Sequence, residues 1–175
     1  IMLFVVSGLA GTLGLGRTGF LTDFVPQGEE RNLFRGTEVA EGDWWYPLGV
    51  QFAGERVTID DLDLESYVVT KTWQEPWSRL QQAVTLIPGE TYTLSALIQA
   101  PDAVRTGFDG WGRASDDGEP ANLATVLEGE SHRATSTGPI AIIASSVVNV
   151  HELWRRLFVT FRFDGEAPLT WYVGV

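Results

Sequence analysis

Two stretches of this chain alternate apolar and polar residues almost without a break, and a turn signal splits each of them. Residues 78–100 read SRLQQAVTLIPGETYTLSALIQA and residues 153–175 read LWRRLFVTFRFDGEAPLTWYVGV. Alternation with a period of two belongs to a strand with one buried and one wet face. A helix would space its apolar residues three and four apart, so neither stretch fits one. Pro88 and Gly89 separate 80–86 from 91–99, and Asp164 and Gly165 separate 157–163 from 169–173. These are turn-forming residues. The two stretches therefore read as two β-hairpins.

Further strands are expected at 49–52, 67–71, 106–111, 123–127 and 140–148, punctuated by Gly, Pro, Asn and Asp. One helical turn is expected at 150–156. Nine short strands fit two packed antiparallel sheets. A chain of 175 residues buries an adequate core without staples, and there are 0 cysteines to supply any. The lack of cysteine leaves the redox compartment open. A formal net charge of -11, with Lys71 the single lysine, argues against nucleic acid and anionic membrane surfaces. Both need clustered cations.

The wording of the two stretches resembles the galactose-binding-like jelly rolls found in carbohydrate-binding modules. In such domains a strand, a Pro-Gly turn and a TYTLSA strand (here residues 91–96) lie mid-chain. A W-R-R-x-x-V-T-F strand (here 154–161) lies near the end. Residues 32–38, NLFRGTE, resemble the family's first strand, and Gly42, Asp43, Trp44 and Trp45 match a following "G…W". The resemblance covers about 32–175 and is weakest over 103–137. It implies an all-β, two-sheet antiparallel jelly-roll sandwich. The binding domain would span 32–175, preceded by an apolar, Gly-rich N-terminal segment and linker over 1–31. For residues 1–15 three readings stand: the tail of a transmembrane helix, an apolar segment packed on the domain or a neighbour, or a buried strand. Gly14, Gly16 and Gly19 fit a dinucleotide-binding G-x-G-x-x-G spacing, but no helical period follows them.

Catalysis finds little support. The only histidines are His132 and His151. Gly129, Glu130, Ser131 and His132 lack the second glycine of a nucleophile elbow and read better as a turn. Acidic clusters at 60–65 and 116–119 read as solvated loops and strand ends rather than a glycosidase pair. The protein is accordingly expected not to be an enzyme. The resemblance also implies a structural calcium between the first and last strands, with Glu38 and Asp164 as the matching ligands. Oxygen donors from loops suit that ion.

Seven tryptophans are many for this length. A flat indole can stack on the apolar C–H face of a sugar while nearby polar groups bond its hydroxyls. Trp73 and Trp77 flank Gln74, Glu75 and Pro76, a loop signal. Trp111 sits between glycines, with Asp109 and Arg113 two residues to either side. Trp73, Gln74, Glu75, Trp77, Asp109, Trp111 and Arg113 form the expected ligand site. Trp154 and Trp171 read as core. The expected function is non-catalytic glycan binding by an extracytoplasmic module. The alternative is a structural or assembly accessory domain of a membrane-anchored surface-polysaccharide protein, a filament or a virion, in contact with other domains and anchored through the N-terminus.

Overall fold

The computed structural model describes residues 2–5, 46–59, 62–71, 79–99, 106–115, 118–151 and 154–174. Every regular element among these residues is a strand, and every pairing is antiparallel. In chain order they are β1 (Met2–Val5), β2 (Tyr46–Leu48), β3 (Val50–Ile59), β4 (Leu62–Lys71), β5 (Arg79–Leu86) and β6 (Thr91–Gln99). Then come β7 (Thr106–Gly112), β8 (Ala121–Glu128), β9 (Ser131–Thr137), β10 (Ile140–His151), β11 (Trp154–Phe163) and β12 (Leu169–Gly174). Sheet A has the order β10-β11-β6-β1-β4-β3, and sheet B has β2-β5-β12-β7-β8-β9. The fold is an all-β sandwich of two antiparallel sheets, as expected. Met2–Val5 lies in sheet A between β4 and β6, so the strand reading is the one seen for those four residues.

The two alternating stretches are not hairpins. β5 belongs to sheet B and β6 to sheet A, and β11 and β12 divide in the same way. Each stretch is an arch that carries the chain from one sheet to the other. The two arches then pair with each other: β6 with β11 in sheet A, and β5 with β12 in sheet B. Alternation reveals which face of a strand is buried, but not which strand it bonds to. In an arch the two strands meet through their apolar faces, across the core.

The first arch turns at Ile87, Pro88, Gly89 and Glu90. Glu90 N–H donates to the Ile87 carbonyl at 3.2 Å, and Gly89 has φ 80°. Proline followed by a glycine of positive φ is the type II turn. The Ile87 N–H donates to the Tyr92 hydroxyl at 2.6 Å, so the tyrosine ties the turn to the strand that follows it. Gly89 N–H donates to the Phe163 carbonyl at 2.7 Å, and Phe163 N–H donates to the Glu90 carbonyl at 3.1 Å. The turns of the two arches are thus bonded directly to one another.

The core fills the space between these arches. Leu157, Val159, Phe161 and Phe163 from β11, with Leu94, Ala96 and Ile98 beside them on β6, face Leu86 and Val84 from β5 and Leu169, Trp171 and Val173 from β12. Burying such side chains contributes about 1.5–3 kcal/mol each. Phe161 of sheet A and Trp171 of sheet B meet with ring centroids 5.3 Å apart, tilted by 49°, in the range favoured by aromatic pairs. Trp154 is buried, as expected.

The helical turn expected at 150–156 is instead strand on both sides: His151 and Trp154 are register partners at the end of β10 and β11. Two strands were also missed, the short edge strand β2 and β9. β9 bonds to β8 across a turn in which Gly129 has φ 59°.

Candidate functional site

Sheet B has one face on the core and the other open. The burial of β7, β8 and β9 alternates residue by residue, so the outward residues can be named. The register then places them in rows across the strands. One row is Ala83, Tyr172, Trp111, Asn122 and Thr137, on β5, β12, β7, β8 and β9. The adjacent row is Gln81, Gly174, Asp109, Ala124 and Thr135. Tyr46 is Gln81's partner on the edge strand β2 and is 62% exposed.

The first row is aromatic at one end and polar at the other. Trp111 is 43% exposed and Tyr172 38%, and their rings lie 6.3 Å apart at 32°. Together they form one apolar ledge on the outer face. In the second row Ala124 carries only a methyl group, which leaves a trough beside the ledge. This open depression of about 480 Å³ is lined by Asp109 to Trp111, Asn122 to Ala124 and Thr135 to Thr137 on three neighbouring strands.

The ledge rests on a rigid floor. Gly110 and Gly112, inward neighbours of Trp111 on β7, lie against the indole of Trp171. A Cβ on Gly110 would stand 1.9 Å from that ring, and one on Gly112 would stand 2.9 Å from it. These glycines are required because Trp171 occupies the place a side chain would take. The Trp171 Nε1–H donates to the Ala121 carbonyl at 2.8 Å, which fixes the start of β8 relative to β12. The outward residues are therefore held by strands packed on a single buried indole.

One atom of the trough lacks what buried polar groups normally have. Asn122 Oδ1 is buried with no hydrogen-bond partner. Most such groups in folded proteins are paired, and an unpaired one costs about 1–3 kcal/mol. It lies in the row of the aromatic ledge, on the strand next to Trp111.

Of the expected ligand residues, Asp109 and Trp111 come together on this face, and Arg113 follows directly after β7 and is exposed. Trp73, Gln74, Glu75 and Trp77 lie outside the described residues, as does Glu38. Trp111 projects from a strand rather than a loop. Sequence reasoning missed Tyr172, Asn122, Thr135 and Thr137. Alternation in the last strand marked Tyr172 as opposite to Trp171, and that signal was available. Thr135 and Thr137 depend on recognising β9.

Asp164 lies in the second arch. Arg162 donates to both of its oxygens, from Nε at 2.6 Å and Nη2 at 3.0 Å, and this bonding holds the carboxyl below its usual range. Among the described residues no three His, Asp or Glu side chains are grouped to hold a metal, and no helix is long and apolar enough to cross a membrane. Ser131 and His132 open β9 and, as neighbours in a strand, point to opposite faces. His132 Nε2 meets Thr125 Oγ1 at 3.0 Å, and burial lowers its pKa. Comparison with known protein families, curated proteins and solved structures finds no match to this chain.

Proposed function

We propose that this domain is a non-catalytic glycan-binding module that acts through the outer face of sheet B. The observation that carries the reading is the exposed pair Trp111 and Tyr172 beside a trough of polar side chains. A sugar ring offers an apolar face and a rim of hydroxyls, and this surface has a counterpart for each. Tryptophan and tyrosine are also the side chains that most often dominate recognition surfaces. The expected stacking on loop tryptophans becomes stacking on a sheet face. An extracytoplasmic setting accompanies the proposal, since that is where a polysaccharide surface is met.

Affinity electrophoresis through gels containing soluble polysaccharides, followed by calorimetry on any chain that retards the protein, tests this. Retardation should vanish in Trp111→Ala and weaken by more than tenfold in Tyr172→Ala. Retardation unchanged in both variants, or no affinity better than millimolar for any glycan, would sink the proposal.

A further inference from the structure

We infer that the site extends past the ledge to Tyr46, so that its ligand is an oligosaccharide or longer chain laid across the strands rather than a single sugar. This rests on the glycan reading above and narrows it. Five large apolar side chains are exposed among the described residues: Tyr46, Ile87, Trp111, Ile143 and Tyr172. Ile87 belongs to the turn of the first arch, and Ile143 to the register shift in β10. The three aromatic ones all stand on the outer face of sheet B. Exposed apolar residues scattered singly mean little, but three aromatic rings on one face of one sheet make a surface for a ligand.

The register fixes where Tyr46 stands. Gln82 is buried and Ala83 exposed, so Gln81 points outward with Ala83, and its antiparallel partner Tyr46 shares that face. Tyr172 lies opposite Ala83. The path from Tyr172 to Tyr46 crosses β5 and shifts from the Ala83 row to the Gln81 row, about 12 Å between Cα atoms at ordinary strand spacing and rise. A single sugar ring stacked on the ledge does not reach that far, whereas successive units of a chain do. Ala83, beside Tyr172 on that path, is exposed and carries only a methyl group, so the ledge is open on the side toward Tyr46.

Tyr46 is placed by its backbone. Pro47 follows it, which favours an extended conformation at residue 46 and removes an N–H from the edge of the sheet. A proline in so short an edge strand also disfavours the addition of a further strand there, which leaves the exposed ring for side-chain contacts. Tyrosine has few torsions to freeze, so ordering it against a ligand costs little.

The test uses the intact chain and its Tyr46→Ala, Tyr46→Phe and Trp111→Ala variants. Gels containing hydroxyethyl cellulose, galactomannan, arabinoxylan or polygalacturonate identify a polymer that retards the protein, and calorimetry then follows its oligosaccharides from the single sugar upward. Affinity should rise with length to a plateau. Tyr46→Ala should lower affinity for the long oligosaccharides about tenfold and leave that for the shortest binder unchanged, which removes most of the gain with length. Tyr46→Phe should keep the gain, because the ring face remains. Trp111→Ala should abolish binding at every length. An equal loss at all lengths in Tyr46→Ala would mark a framework role and overturn the inference. So would unchanged affinity of that variant for the long chains, or a single sugar that binds as well as the polymer. Each of these spares the glycan reading while Trp111→Ala still abolishes retardation. No retardation in any gel, or retardation indifferent to Trp111→Ala, removes the glycan reading and this inference with it.

Discussion

Trp171 and Trp111 stand on neighbouring strands of sheet B and lie on opposite sides of it. Trp171 is 0% exposed, holds a hydrogen bond to the Ala121 carbonyl, and occupies the space kept open by two glycines. Trp111 is 43% exposed and touches Tyr172 on the open side. The same side chain serves as framework in one place and as a contact surface in the other, and the sheet face decides which. A count of tryptophans therefore says little about function until each is assigned to a face. The outer indole also depends on the inner one, because the inner ring sets the height of the strand that carries it.

The contrast can be broken most forcefully from inside. Trp171→Ala should cost about 3–5 kcal/mol, read as a fall in the denaturation midpoint, because a fully buried indole leaves a cavity. Gly110→Ala comes next, at about 3 kcal/mol, the upper end for an overfilled core. It should also alter the near-ultraviolet circular dichroism, since its Cβ meets the Trp171 ring. A Gly110→Ala protein as stable as the parent would mean that the ring is not fixed. Tyr92→Phe should cost about 1 kcal/mol through the lost Ile87 N–H bond, with the ring stacking on Phe161 retained. Trp111→Ala should shift stability by no more than about 0.5 kcal/mol, the usual range for a surface position. A larger loss would place Trp111 in the framework after all.

The smallest effect is a pH slope. Burial keeps the folded-state pKa of His132 below its unfolded value near 6.5. The unfolded chain then binds more protons, so stability is full above about pH 6.5 and declines as pH falls below it. Urea midpoints at pH 7.5 and pH 5.5 should show a slight fall in the parent and a smaller one in His132→Gln. An equal fall in both proteins would assign the slope to other groups.

The arches show how far the sequence could be read. The period-two pattern located strands over 80–86, 91–99, 157–163 and 169–173 to within a few residues, because each has one face in the core. It could not show that each turn changes sheets, since a hairpin and an arch share one burial pattern. β9 escaped for the opposite reason. Ser131, Arg133, Thr135 and Thr137 are exposed while His132, Ala134 and Ser136 are half-buried, so neither of its faces is strongly apolar. Its only signals were the Gly129 turn before it and Gly138 with Pro139 after it. Asp109 and Trp111 were legible as a pair because glycines surround them. Asn122 was not, because only the register of β7 with β8 sets it beside Trp111.

The pairing of the arches has a consequence for how the chain reaches its structure. Ser95 bonds Arg156 across 61 residues of sequence, and Thr93 bonds Thr160 across 67. Neither arch can form a ladder by itself, since its two strands belong to different sheets. The first arch therefore lacks its main ladder, the one from β6 to β11, until the second is in place. Contacts this distant in sequence make for slow folding, because a large loop must close before any of them is formed. Until then residues 91–96 of β6 have no strand beside them, while 97–99 can pair with β1, which lies earlier in the chain. Thr91, Thr93 and Ser95 keep the outward face of that stretch polar, which lowers the apolar surface it shows in the meantime.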